Sequence, residues 1–160
     1  MSMDINHLVA LKAIRAQREN RMSRLRGQRA RQYEQLEQRM MQTTRHVELL
    51  EQVIKRRSDM RWRSLFEGKF DSAGLLLASM QDKADAERVT QAQGYVRQLM
   101  QELREAKAQW DEASDNHAKA LRKLETSSEL VKEESSQRAR RDALRVEAAQ
   151  DDAHGVRYAS

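Results

Sequence analysis

Cysteine and proline are absent from the 160 residues, and glycine occurs only five times. Without cysteine there is no disulfide framework and no thiolate metal site, an absence that suits the cytosol. Without proline, and with so little glycine, the chain lacks the punctuation that turn-rich folds require. Val, Ile and Thr together number only 15, which excludes a β-rich or doubly wound fold. Long apolar runs are missing as well. The longest is Leu75-Leu76-Leu77-Ala78, far short of the roughly 20 residues of a membrane span. No signal-peptide pattern opens the sequence, so no membrane insertion is expected. Leu, Ile, Val and Phe make up 29 of the 160 residues, too few for a thick globular core but enough for a thin two-helix seam.

What the sequence does contain is helix-forming. Ala, Glu, Lys, Leu and Arg account for 81 of the 160 residues, a composition of long helices or coiled coils. Lys and Arg number 30 against 25 Asp and Glu, a net charge of +5. The spread is uneven: residues 1–70 carry 16 basic and 8 acidic side chains, residues 71–160 carry 14 and 17. A basic half and a mildly acidic half can attract each other or recruit different partners.

One stretch, Gly68-Lys69-Phe70-Asp71-Ser72-Ala73-Gly74, breaks the helical pattern. Gly68 is suited to end a helix in the left-handed conformation, and Asp71 or Ser72 to cap the next one. The expected organisation is a single hairpin. Its first helix covers about 4–67, capped by Asp4 or Asn6, and its second about 75–150, with a loop at 68–74 and a frayed tail at 151–160. At ~1.5 Å per residue each helix is on the order of 100 Å long, and helices of that length need a partner along most of their course.

The apolar spacing supplies one. The predicted seam of the first helix runs Leu11, Ile14, Arg18, Met22, Leu25, Arg29, Tyr33, Leu36, Met40, Thr43, Val47, Leu50, Ile54, Arg57, Arg61. It opens on an eleven-residue repeat and closes on a heptad, so the supercoil is expected to be nearly straight first and left-handed toward the loop. The second helix carries a strict heptad: Val89, Ala92, Val96, Leu99, Leu103, Ala106, Trp110, Ala113, His117, Ala120, Leu124, Ser127, Val131. An antiparallel register in which facing residue numbers sum to about 142–143 sets large residues against small ones. Tyr33 then meets Trp110, Met40 meets Leu103, Leu11 meets Val131, Arg57 meets Asp85 and Arg61 meets Asp82. The fold class is therefore all-α, a long antiparallel two-helix coiled-coil hairpin.

A two-helix hairpin offers no sheltered pocket for converging catalytic groups, so no catalytic, cofactor-binding or metal-binding residue and no small-molecule substrate is expected. His7, His46, His117 and His154 are scattered, and none has a His or Cys three or four residues on. In the register above His117 lies opposite Leu25. The basic run Arg15, Arg18, Arg21, Arg24, Arg26, Arg29, Arg31 is more suggestive. Three readings compete for it: stems that cover the seam while the charged heads stay wet, an acidic protein partner, and nucleic acid. Only Tyr33 is aromatic nearby, which disfavours nucleic acid. A second cluster, Met60, Trp62, Leu65, Phe66, Phe70, Leu75, Leu76, Leu77 and Met80, surrounds the loop and reads either as a small end-core or as a docking tip.

The segment Leu8-Val9-Ala10-Leu11-Lys12-Ala13-Ile14-Arg15-Ala16-Gln17-Arg18-Glu19 resembles the opening of the type III secretion stalk proteins, flagellar FliJ and injectisome YscO. Ile14 stands where leucine is commoner in that family. The resemblance covers about 12 residues in motif and the full length in architecture, size and basic charge. It implies a non-enzymatic stalk or adaptor, cytoplasmic and peripheral at the inner face of a bacterial export apparatus. Its partners would be a hexameric secretion ATPase, the export gate protein and export chaperones. On this resemblance Leu8, Leu11, Lys12, Ile14, Arg15 and Arg18 would enter the ATPase ring, and Trp62, Phe66, Phe70 and Leu76 at the tip would reach the gate. Nucleic-acid binding and a generic self-assembling scaffold are the competing functions.

Overall fold

Asp4 starts the first helix. Its Oδ1 accepts from the Asn6 amide at 3.2 Å, and its carbonyl accepts from the amides of His7 and Leu8 at 2.9 and 3.2 Å. These bonds occupy the amides that a helix start leaves unpaired. In this computed structural model, which describes residues 4–68 and 71–158 and side chains as far as Asp151, helix α1 spans Ile5–Glu67 and helix α2 spans Ser72–Tyr158. The chain is all-α, an antiparallel hairpin of two helices packed against each other.

The turn is shorter than the sequence suggests. Helix resumes at Ser72 rather than about 75, because Asp71 takes over the cap. Its Oδ1 accepts from the Gly74 amide at 2.6 Å and its carbonyl from the Leu75 amide at 3.2 Å. Position 74 is glycine for want of room: a Cβ there would stand 2.7 Å from that same Oδ1 and 3.0 Å from a Leu65 methyl. The left-handed end expected at Gly68 is not adopted, since no described glycine has positive φ. Instead the Gly68 amide donates to the Ser64 carbonyl at 3.1 Å and continues the helical pattern. Lys69 and Phe70 lie outside the described residues. At the other end α2 does not stop near 150. It continues to Tyr158, through residues expected to fray. Nothing in that stretch forbids helix, since proline is absent and Gly155 costs only about 1 kcal/mol.

The chain divides into two compact units, Met1–Gly27 with Glu112–Ser160, here the terminal unit, and Gln28–Asp111, the turn unit. In the turn unit the expected seam is observed at every position but Arg57. Tyr33, Leu36, Met40, Thr43, Val47, Leu50 and Ile54 of α1, and Val89, Ala92, Val96, Leu99, Leu103, Ala106 and Trp110 of α2, are all buried or half-buried. Leu99 is the best covered, at 1% exposure. Tyr33 stacks on Trp110 with ring centroids 5.5 Å apart. Arg61 meets Asp82 at 2.5 Å, as the register requires, and also takes Asp85 at 2.8 Å. The expected Arg57–Asp85 pair is thereby corrected: Arg61 holds Asp85, and Arg57 is exposed.

The terminal unit departs further from expectation on the α1 side. Its α2 seam, Ala113, His117, Ala120, Leu124, Ser127 and Val131, is buried or half-buried as predicted. Opposite it run Leu8, Leu11, Arg15, Glu19 and Met22. Ile14 is 63% exposed and Arg18 is exposed, so neither belongs to the seam. The cause lies on α2, where the seam is small or polar. Arg15 Nη1 donates to the Ser127 hydroxyl at 2.6 Å and to the Lys123 carbonyl at 3.0 Å. His117 Nε2 lies 2.8 Å from Glu19 Oε1, which replaces the expected Leu25 as its neighbour. Long polar side chains fill the space above alanines and satisfy the buried Ser127 and the half-buried His117, which an isoleucine at this position cannot do.

Candidate partner-binding surfaces

The six residues expected to meet an ATPase ring are sorted by the seam into two groups. Leu8 is buried, and Leu11, Lys12 and Arg15 are half-buried against α2. Ile14 and Arg18 face outward. With Arg21 and Leu25 they recur at steps of four, three and four residues, which places them on one helical face. Leu25 is 37% exposed, and Arg21 is exposed as well. This face, two apolar side chains enclosing two guanidinium groups, is the part of the motif that α1 leaves available. Of the remaining arginines in the basic run, Arg24, Arg26 and Arg31 are exposed, while Arg29 is half-buried and donates to Gln32 Oε1 at 3.0 Å. Seam-covering stems therefore describe Arg15 and Arg29, and solvent-facing charge describes the others.

Beyond the α1 start, α2 residues 135–151 are all exposed. Asp4 and Ile5 border a polar groove there with Glu134, Arg138, Arg141 and Arg145. Arg141 pairs with Glu134 at 2.7 Å, and Arg145 approaches Asp142 at 3.8 Å.

Near the turn, polar and apolar side chains separate cleanly. Asp82 receives the Trp62 indole N–H at 2.6 Å and the Arg61 guanidinium at 2.5 Å. Those bonds, led by the indole and joined by the Ser58 hydroxyl, hold the Asp82 carboxyl below its ordinary range, because each favours the charged form. Arg61 is in turn pushed above its usual value, chiefly by its bond to Asp85. Arg88 approaches the buried Asp85 from the outer side at 3.5 Å. Outside this cluster the apolar side chains are open to solvent: Met60, Phe66, Leu76, Leu77 and Met80 are 58–73% exposed. Phe66 leans on Trp62 with centroids 6.4 Å apart. Of the four tip residues expected to bind a partner, Trp62 is half-buried and committed to Asp82, Phe66 and Leu76 are presented outward, and Phe70 lies outside the described residues. A groove there is lined by Leu65, Leu77, Ala78, Met60, Arg57 and Gly74.

Several interactions were not legible in the sequence. Arg39 lies against Tyr95, donating to its hydroxyl and standing 5.7 Å from the ring centroid. Glu51 accepts from Gln93 at 2.7 Å. The second follows from the antiparallel register once flanking positions are paired as well as seam positions, whereas Arg39 reaches roughly two turns along α2 from the position that faces it. Among the described residues no group of three or more His, Asp or Glu side chains is placed to hold a metal ion, and no helix is long and apolar enough to cross a membrane. Trp110 Nε1 is buried with no hydrogen-bond partner, which the stacking on Tyr33 and the Lys107 ammonium 5.8 Å from its ring offset. No family model, curated protein or solved structure matches the chain.

Proposed function

We propose that this chain is a non-enzymatic stalk or adaptor of a bacterial type III secretion export apparatus, working at its cytoplasmic face. In this reading the terminal unit engages a hexameric secretion ATPase, and the turn unit contacts the export gate and export chaperones. The resemblance of residues 8–19 to that family supports the reading, and so does the all-α hairpin. The observation that carries it is the outward face of Ile14, Arg18, Arg21 and Leu25. Guanidinium groups flanked by exposed apolar side chains suit an acidic protein surface, where charge steers the encounter and the apolar contacts hold it.

The test follows from how the motif divides. Ile14→Asp with Arg18→Glu alters only outward side chains, so helicity should be retained. Wild-type protein should raise the turnover of the cognate secretion ATPase, and the double variant should not. An ATPase indifferent to the wild type, or one stimulated equally by the variant, defeats the proposal. The exposed Arg18, Arg21, Arg24, Arg26 and Arg31 favour a second reading, a nucleic-acid-binding hairpin. That reading requires a salt-sensitive mobility shift with short RNA or DNA.

A further inference from the structure

We infer that the α2 tail of a second copy of this chain packs antiparallel on the outward face of Ile14, Arg18, Arg21 and Leu25. The first ground is the match of spacing and charge. On α1 that face reads apolar, cation, cation, apolar at steps of four, three and four residues. On α2, Leu144, Glu147 and Asp151 follow at steps of three and four, so they too share one helical face. Leu144 is 65% exposed, and both acids are exposed. Laid antiparallel, Leu25 meets Leu144, Arg21 meets Glu147 and Arg18 meets Asp151, so three successive layers are complementary.

The second ground is that these four charges are not used elsewhere. Among the described residues, Arg18, Arg21, Glu147 and Asp151 take part in no ion pair. Their surroundings reinforce the contrast: residues 4–27 carry six basic and two acidic side chains, whereas residues 146–151 carry two acids and no base. The match is also selective. Of the large apolar side chains open to solvent among the described residues, Leu144 alone is followed by acids at both the third and the seventh position.

The third ground is that the tail has no cover in its own chain. Residues 135–151 of α2 are exposed throughout, and a helix in water is marginal without a partner. Arg15 meets Ser127 within the chain, which sets Leu25 roughly level with residue 117. At ~1.5 Å per residue Leu144 lies about 40 Å farther along α2, so the tail that Leu25 meets belongs to another molecule. Each chain offers one α1 face and one α2 tail, and the two differ. The contact is therefore head-to-tail, and it extends into staggered rows of molecules instead of closing into a dimer. It is also small and exposed, so it forms at high protein concentration and weakens with salt.

The inference goes beyond the secretion reading: it gives the same α1 face a second occupant that excludes an ATPase, and its test needs no ATPase. Full-length protein is sedimented over a range of concentrations. Species larger than a dimer should grow with concentration and dissociate in ~1 M salt, where charges are screened beyond about 3 Å. Arg18→Glu with Arg21→Glu should stay monomeric, and so should Glu147→Arg with Asp151→Arg, with helicity unchanged because all four positions are exposed. Mixing the two variants should restore assembly, since each supplies the charge that the other has lost. The chain has no cysteine of its own, so an oxidised mixture of the Leu25→Cys and Leu144→Cys proteins should give a mixed disulfide that neither forms alone. Wild type that is monomeric at every concentration overturns the inference, as does either charge variant that assembles unaided. A mixture of the two charge variants that stays monomeric also overturns it, and so does a disulfide of Leu144→Cys with Ile14→Cys in preference to Leu25→Cys.

Discussion

Arg15 and Arg18 are three residues apart in one basic run, yet the structure gives them opposite roles, and a stability measurement separates them. Arg15 Nη1 donates to Ser127 Oγ at 2.6 Å and to the Lys123 carbonyl at 3.0 Å. A hydrogen bond from a charged donor contributes roughly 1.5–3 kcal/mol net. Arg15 is only half-buried, and methionine in its place keeps the stem packing, so about 2 kcal/mol for the whole contact is the reasonable expectation for Arg15→Met. For a chain of this size that corresponds to a fall of about 4–8 °C in Tm. Arg18→Met, at an exposed position, should stay within about 0.5 kcal/mol. Urea titrations followed by circular dichroism, extended to Ser127→Ala and the Arg15→Met/Ser127→Ala pair, give the coupling directly, expected near 1 kcal/mol. Equal losses for the two methionine variants, or strictly additive effects of Arg15→Met and Ser127→Ala, would refute the seam described here and restore the one through Ile14 and Arg18.

Two further predictions concern stability. A Cβ built at Gly27 meets nothing within 4 Å, so Gly27→Ala should stabilise the chain by up to about 1 kcal/mol and raise Tm by about 2–4 °C, read in a thermal melt. Acid should loosen the turn unit. Asp82 is held below its ordinary value of 3.8, so the stability it contributes is complete above that value and is lost as pH falls through the lowered one. Arg61 is shifted upward, so its share persists at every lower pH. Asp82→Asn should therefore be less stable than the parent at neutral pH, and the two unfolding curves should converge in strong acid. A gap that stays constant with pH would contradict the assignment.

The α2 seam could be read from sequence because it obeys a strict heptad of apolar and small residues, and that pattern has only one face to offer. The turn-unit half of α1 was legible for the same reason. The terminal-unit half was not. There the chain presents Ile14 and Arg18 on one face and Arg15 and Glu19 on the next, and hydropathy favours the first. What decides is the partner: alanines, a serine and a histidine on α2 leave space and hydrogen-bonding needs that long polar side chains meet. Such a choice emerges only when both helices are considered together. The apolar cluster beside the turn was visible in the sequence, but its division into covered and exposed side chains was not. Trp62 is withdrawn by a carboxylate 20 residues away while Phe66 and Leu76 remain outside. The helical tail past 150 was missed because a polar, glycine-bearing stretch reads as frayed when nothing in the sequence specifies a partner.

The fixed pairing in the turn unit, with Tyr33 on Trp110 at one end and Arg61 on Asp82 at the other, limits how this protein can change in length. Dropping a single residue from α1 between those landmarks would rotate every later side chain by about 100° and carry Val47 out to solvent. Excising one heptad from α1 together with the heptad facing it on α2 would leave both landmarks engaged and every remaining neighbour matched. Insertions and deletions are therefore tolerated here only in facing pairs, seven residues at a time.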